Sequence, residues 1–587
     1  MRFKDLAEYL QKLEKITSRN EMIVILAELF KKVPSEEIDK VIYLLQGRVA
    51  PLYESVEFNI AEKSMVKAIA LAYGKDEKEA KREYKRVGDL GELSEALNKK
   101  SNIKDKKLGI NDVFESLEKI TTIGGEGSVE KKLKTLSNLL SALDSLSVRF
   151  VARIPVNKLR LGFSDMTVID SLSWMLKGDK SLKKDIEEKY NMRPDLGFVA
   201  KNLKKSGIKG IESVKPSVFT PILMARAERL SSGNEIIKKI GKCAVEPKFD
   251  GFRLQIHFNG NGVKIFTRNL EEVTFMYPDI EKGIREQIKE KEVILEGEAI
   301  AYNPDTNEYL PFQLTAQRKR KYDIPEMAKK IPLKYMAFDL LYLNGKNYVP
   351  ETYEMRRQAL TKIINKGKTV YLAEEKIFSK GGEIENFFDE CISEGLEGIL
   401  AKKLDGTYQA GARGWNWIKL KRSYQSKLND TVDCVVMGYY YGRGKRTAFG
   451  IGAFLIGIYD EKEDKFVTIA KVGTGLTDEE WKELGKRGQK LRAKEKPPLY
   501  EVDKWLEPDV WIEADIVVEI KADELTRSPV HTAGRVMKAS KSGSAFDVDV
   551  PGYALRFPRL ERFRDDKKPI DATTLSEVEK MFKAQKK

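Results

Sequence analysis

The 587-residue sequence changes texture twice. The changes predict an all-α region, an α+β region on antiparallel strands and a small β-barrel of the OB type. Three observations carry that reading. Apolar residues recur at three- and four-residue steps through residues 1–215. Two prolines in VKPSVFTPIL (214–223) interrupt the pattern, and β-rich runs then alternate with helices through 216–422. Within 423–587, short strands separated by glycine turns replace most of the helix, and a terminal helix closes the region.

The elements follow in order. Phe3, Leu6, Leu10, Leu13 and Ile16 form one apolar stripe and predict the first helix. Pro34 with Ser35 opens a second, which ends near Gly47. KDEKEAKREYKR (75–86) reads as an exposed helix face. The middle region shows FRLQIHF, VKIFTR, EVILEGEAIAY, YMAFDLLYL, GILAKK and WIKLKR as strands. The last region shows VDCVVMGYYYG, GAFLIGIYD, KFVTIAKVG and IVVEIKA, then the helical LSEVEKMFKAQKK. No long-period repeat or low-complexity linker interrupts the chain.

Composition narrows the chemistry. Lysine and arginine total 105 against 90 acids, a formal charge of +15. That excess fits a polyanionic partner such as nucleic acid, and equally a Lys/Glu-rich thermophile surface. Three dispersed cysteines (Cys243, Cys391, Cys434) and two histidines exclude a Cys/His zinc site and a disulfide framework. A catalytic metal would therefore rest on carboxylates, which favours Mg2+ or Mn2+. The amphipathic N-terminus lacks a signal peptide's apolar core, and no run reaches the ~20 apolar residues of a membrane span. The expectation is a soluble, cytoplasmic protein with no membrane partner.

The chemistry-bearing string is EPKFDGFR, Glu246–Arg253. If extended, it points Lys248 and Asp250 to one face, with Gly251 free to turn or approach a ligand. A lysine beside a carboxylate can serve as a nucleophile; a plain surface turn accounts for K-x-D-G as well. ILEGEAIAY puts Glu296 and Glu298 on one face of an apolar strand, costly unless they hold a cation. EGLEGILAKK offers Glu397 before another apolar strand, and WNWIKLK aligns Lys419 with Lys421. Such paired lysines fit either a phosphate or a protected edge strand.

In this order and spacing, EPKFDGFR, FTRN, EGEAIAY, MAFDLLY, EGLEGILAKK and WIKLK resemble motifs I, Ia, III, IIIa, IV and V of the covalent nucleotidyltransferases. The closest resemblance is to replicative-type ATP-dependent DNA ligases of archaea and eukaryotes. RFPRLERFRDDKKP resembles their motif VI, and VVEIKADELTRSPVHTAG the barrel segment before it. RIPVNKLRLGFSD (153–165) and GGEGS (124–128) resemble their helical DNA-binding domain.

The resemblance implies a role for each residue. Lys248 would attack the ATP α-phosphate and carry AMP. Glu246 would read the adenine edge and Phe338 would stack on the ring. Arg253 and Arg268 would contact ribose or the nick 5′-phosphate, and Arg413 a phosphate or sugar. Glu298 and Glu397 would bind magnesium, assisted by Asp250. Lys419 and Lys421 would hold the α-phosphate. Arg559, Arg562 and Lys567, far along the chain, would reach the β,γ-phosphates by closure about a hinge near Arg422–Lys427. Lys158 and Arg160 are candidate backbone contacts for DNA.

The implied activity is sealing of 5′-phosphate/3′-hydroxyl nicks in replication, repair and recombination. ATP and a divalent metal are the cofactors, nicked duplex DNA the partner, and the protein a monomer. A sliding clamp is a family-level partner only, since no clear clamp-binding box is present. The rivals are a GTP-using capping enzyme or RNA ligase, an NAD-dependent ligase and a non-catalytic DNA-binding scaffold. The long helical region opposes the first, and the missing four-cysteine zinc site the second.

Overall fold

The computed structural model describes residues 1–101, 103–304, 308–310, 312–319, 322–394, 396–421, 431–442, 450–473, 475–539 and 546–585. They form two compact units, Met1–Leu420 and Lys421–Lys587. The proposed hinge at Arg422–Lys427 lies outside the described residues.

The first unit opens with thirteen helices among the described residues, from Phe3–Glu14 to Lys209–Glu212. The predicted stripe is real: Phe3, Leu6, Leu10 and Leu13 are buried, and Ile16 packs beside them. Side-chain caps fix several starts. Ser18, Asp76, Asp89, Asp144 and Asp195 each accept an otherwise unpartnered amide at a helix N-terminus. The helix read from Pro34 is shorter than the sequence implied, Ile38–Leu45. The Pro34 carbonyl accepts from both Glu37 and Ile38, so a turn precedes it.

Two sheets follow. Their strands are β1 (Arg226–Arg229), β2 (Cys243–Lys248), β3 (Phe252–Phe258), β4 (Val263–Thr267), β5 (Val293–Ala301), β6 (Leu333–Leu343), β7 (Lys346–Asn347), β8 (Val370–Leu372), β9 (Lys376–Phe378), β10 (Gly398–Lys403) and β11 (Arg413–Lys421). One sheet runs β1-β11-β10-β2-β9; the other runs β4-β3-β5-β6-β7, with β8 on β6. Leu254, Ile256, Leu295 and Tyr335 lie in one core, and Val245, Ile399, Ile418 and Phe387 in another. The helical region does not stand apart: Tyr53 packs with Phe266 and Leu270 across the division that the sequence places at residue 215.

In the second unit, β12 (Val432–Tyr440), β13 (Ala453–Asp460) and β14 (Lys465–Val472) are adjacent antiparallel strands of a seven-stranded sheet. Val517–Lys521 and Arg559–Phe563 extend it beyond β12. The helix Asp478–Lys490 was not read from the sequence, although Thr477 and Glu480 form a capping box and Trp481 and Leu484 are buried. The final helix is Leu575–Ala584. No helix among the described residues is long and apolar enough to cross a membrane.

Candidate active site

Lys248 ends β2, and four residues later Phe252 begins β3 in the other sheet. EPKFDGFR is therefore the crossing between sheets, not one extended strand. Gly251 makes the crossing tight: a Cβ there would lie 2.3 Å from the Ala299 carbonyl oxygen and 3.1 Å from Glu298 Cγ. Lys248 faces Gly398 across the β2–β10 ladder. Regular alternation would send Glu397 to the opposite face. Gly398 adopts φ 144°, a conformation that side chains resist, and Glu397 reaches Lys248 instead. The Lys248 Nζ–Glu397 Oε2 distance is 2.5 Å, with 26% and 14% of the side chains exposed. The Glu397 amide also donates to the Lys248 carbonyl, at 3.0 Å.

The second sheet supplies the facing groups. Arg253 pairs with Glu298 in the β3–β5 register, and Gln255 with Glu296, so all four share a face. Glu296 is fully buried and is the counterion of Arg253, at 2.6 Å. Gln255 donates to the other Glu296 oxygen at 3.1 Å, and Arg253 also donates to the Ala225 carbonyl at 2.6 Å. Burial pulls the Arg253 pKa down, but Glu296, Tyr408 and Glu298 hold it above its ordinary value. The cation that offsets the cost of burying Glu296 is thus the Arg253 guanidinium. Glu298 differs. Burial pushes its carboxyl up to about 7; Lys248 and Arg253 oppose the rise, while the Glu397 and Asp250 carboxylates add to it.

Two residues before Lys248, Glu246 is 2% exposed. It accepts from Lys402 Nζ at 2.7 Å and from the Tyr353 hydroxyl at 2.7 Å, with Arg357 3.7 Å away. Burial raises the Glu246 pKa against the pull of Lys402, and lowers that of Lys402 against the pull of Glu246. Lys402 also donates to the Phe338 carbonyl at 2.9 Å. Phe338 is 7% exposed and meets Trp417 edge-on, with Arg253 and Lys402 near its ring. The expected adenine pair, Glu246 and Phe338, is thus set in a packed layer. Lys402, Tyr353 and Arg357 complete that layer, and the sequence reading did not select them; an uninterrupted apolar run ending in lysine, GILAKK, was the available signal.

Arg268 follows β4 and is exposed. Partial burial and the like charges of Arg253, Arg226 and Arg413 hold its pKa down, while Glu298 opposes them. Four guanidiniums therefore share one field. Arg226, absent from the sequence reading, donates to the Gly411 carbonyl at 2.5 Å and lies opposite Arg413 in the β1–β11 register. Lys419 sits on β11 opposite Arg229, and Lys421 ends that strand.

The remaining candidates carry carboxylate partners. In the second unit, Arg559 bonds Asp523 at 3.1 Å, Arg562 bonds Glu519 at 2.6 Å and Lys567 bonds Asp433 at 2.7 Å. Arg564, not selected from the sequence, shares Asp433 at 3.1 Å. In the helical region Lys158 pairs with Glu62, and Arg160 with Asp89 at 3.2 Å. The GGEGS loop leads into the helix Ser128–Leu140, with Gly127 at φ 70° before it.

Among the described residues, no group of three or more His, Cys, Asp or Glu gathers as a metal cage. Of the expected trio of Asp250, Glu298 and Glu397, Glu397 pairs with the Lys248 ammonium, and the Glu397 and Asp250 carboxylates lie near enough to Glu298 to raise its pKa. The donor chemistry still fits magnesium, which takes one or two carboxylates and completes its shell with water and phosphate. Burial, with the Glu397 and Asp250 carboxylates adding to it, raises the Glu298 pKa, and a positive charge placed there would favour the ionised carboxylate.

Residues 2–173 match the family described as DNA ligase N terminus, 224–421 the ATP dependent DNA ligase domain and 447–567 the ATP dependent DNA ligase C terminal region. A probable DNA ligase of Dictyoglomus turgidum is 50% identical over 592 aligned residues, covering 100% of this chain and 98% of that protein. A DNA ligase of Sulfolobus acidocaldarius is 39% identical, with 100% and 98% coverage. The solved structure Pmar-Lig_PreS3 shares the fold at 18% identity, covering 95% of this chain and 99% of that one, with a TM-score of 0.53. With three matched regions in order and half of all positions shared with a full-length relative, the chain belongs to the ATP-dependent DNA ligase family.

Proposed function

We propose that the protein seals nicks through Lys248, which carries AMP from ATP to the 5′-phosphate. The observation that most supports this is the Lys248–Glu397 pair, accessible at the crossing between sheets and facing Glu298. Lys248 Nζ gives up a proton and bonds to the α-phosphorus, and pyrophosphate leaves. The nick 5′-phosphate oxygen then attacks the same phosphorus, and the lysine amine departs. The 3′-hydroxyl next attacks the 5′-phosphorus, loses its proton and releases AMP. Each step is a displacement at phosphorus, so charge placement dominates the catalysis.

In this reading Phe338 and Glu246 shape the adenine pocket. Arg253, Arg268 and Arg413 bind ribose or phosphate, and Lys419 and Lys421 bind the α-phosphate. Glu298 and Glu397, with Asp250 nearby, would hold Mg2+ or Mn2+. When bound, the ion would neutralise phosphate charge. Arg559, Arg562 and Lys567 would exchange their carboxylate partners for the β,γ-phosphates. Residues 1–215 would bind duplex DNA, 216–422 transfer the nucleotide, and 423–587 form an OB-fold barrel, a reading that the antiparallel neighbours β12–β14 support. The same reading makes the protein a monomer in replication, repair and recombination.

The test supplies ATP, GTP or NAD in turn to the protein with a nicked duplex and magnesium. Sealing with ATP through a protein–AMP adduct is expected. A GMP adduct would favour the capping reading, and DNA binding with no adduct would favour a scaffold.

A further inference from the structure

Arg268 stands on the turn that follows β4. The turn leaves β4 at Thr267 and returns through a bridge between Phe266 and Glu272. The Leu270 amide donates to the Thr267 carbonyl at 2.9 Å, and the Thr267 amide to the Glu271 carbonyl at 2.9 Å. Leu270 sits at φ 66°, a conformation a leucine adopts only where its surroundings impose it. Residues more than 200 positions away pack against this turn. Tyr53, on the short helix Leu52–Glu54, forms a separate apolar cluster with Phe266 and Leu270. Tyr53 is 8% exposed, Leu270 5% and Phe266 0%. Ser55, itself at φ 54°, accepts from the Glu272 amide at 3.1 Å. Tyr53 is tied back to the helical region: its hydroxyl lies 3.4 Å from Asp195, which caps the helix Leu196–Ser206 and receives the Tyr43 hydroxyl at 2.7 Å.

We infer that Tyr53 and Ser55 are positioning residues that clasp the Arg268 turn. They hold its guanidinium near Arg226 and near Arg253 and Arg413, which are read with it as ribose or phosphate ligands. The inference rests on the reading of Arg268 as a ribose or nick-phosphate ligand. Neither residue touches the reacting atoms; both fix the two flanks of the turn, Phe266 and Leu270 on one side and Glu272 on the other. The helical region thereby orients a catalytic-site arginine besides binding DNA.

The experiment is a double-mutant cycle in the full chain. It is read as the single-turnover sealing rate at saturating nicked duplex, ATP and magnesium. Arg268→Ala and Tyr53→Ala should each slow sealing, Tyr53→Ala by about tenfold, since small displacements of a catalytic group are costly. Tyr53→Ala added to Arg268→Ala should change the rate by less than about twofold, because the turn no longer carries anything to aim. Tyr53→Phe should restore the parental rate, as it keeps the ring that packs on Phe266 and Leu270. Ser55→Gly is the gentler variant: glycine accepts the left-handed conformation and removes only the acceptor for Glu272. It should slow sealing about threefold at an unchanged unfolding temperature, within the range open to a displaced group. An Arg268→Ala that seals normally would overturn the reading of Arg268 and the clasp with it. An impaired Arg268→Ala in which the Tyr53→Ala loss still multiplies in full would overturn the clasp alone.

Discussion

Strand β2 carries two acid–base pairs on one face, two residues apart, and they serve opposite ends. Glu246 and Lys402 meet at 2.7 Å with neither side chain more than 2% exposed, and Tyr353 and the Phe338 carbonyl take up further hydrogen-bonding capacity. Lys248 and Glu397 meet at 2.5 Å with 26% and 14% exposed, beside the carboxylates of Glu298 and Asp250. The first pair is locked, because separating it would strand a charge in an apolar layer. The second, partly open to solvent, can exchange partners with an incoming phosphate or cation at a lower desolvation cost than the first. On the proposed reading the Lys248–Glu397 pair is a resting arrangement, and exposure distinguishes it from the structural Glu246–Lys402 pair.

The comparison is sharpened most by the proposed nucleophile, Lys248. Lys248→Ala and Lys248→Arg should abolish the covalent AMP adduct seen on labelling with ATP, since neither supplies a free amine at neutral pH. An adduct on Lys248→Ala would assign the chemistry to another residue. The locked pair should answer in stability instead. Lys402→Met removes the nearest cation from buried Glu246 and leaves it only Tyr353 and the more distant Arg357, at a cost of up to about 3–5 kcal/mol in chemical unfolding. Glu246→Gln combined with Lys402→Met should recover part of that loss. A Lys402→Met protein as stable as the parent would remove the distinction between the pairs.

Glu298→Ala and Glu397→Ala should do the reverse. Sealing should fall by about two orders of magnitude, and added magnesium should restore it only partly, with unfolding temperatures near the parent's. Near-normal sealing would return both carboxylates to an ordinary strand-end role.

The effect that is smallest at neutral pH concerns His257, whose side chain bonds the Phe219 amide. It accepts from the Phe219 amide through Nδ1 at 3.0 Å and faces the Gln255 side-chain oxygen through Nε2 at 2.9 Å, so it is held neutral. Burial, with Lys264 nearby, lowers its pKa to about 3. An unfolded histidine titrates near ~6.5, so between these values the unfolded chain binds the extra proton. Stability from this group is complete above that range and declines as pH falls through it, by about 1.4 kcal/mol per pH unit. His257→Gln should flatten this part of the curve of stability against pH. An unchanged slope would show that the imidazole takes up a proton without disturbing the fold.

The strands were legible because their signals are local. FRLQIHF, VKIFTR and GILAKK fall on β3, β4 and β10. What escaped was partner choice. Glu296 and Glu298 look equivalent in an alternating strand, yet one neutralises Arg253 and the other crowds against Glu397 and Asp250. Asp339 and Arg356 form a fully buried pair on elements whose pattern names neither. Such pairings join residues distant in sequence, and periodicity does not specify which cation reaches which acid. The bend at Asp250–Gly251 escaped similarly: read as one strand, EPKFDGFR puts Lys248 and Asp250 together, whereas the chain changes sheets there.

That change of sheet bears on how the protein acquires activity during refolding. Lys248 and Glu397 belong with β2 and β10, while Arg253 and Glu298 belong to β3 and β5. Neither sheet alone holds both the proposed nucleophile and the groups facing it. Sheets paired across such separations in sequence form slowly compared with helices. The appearance of adenylation-competent protein after dilution from denaturant would therefore time the docking of the two sheets, a late event that secondary-structure signals pass over.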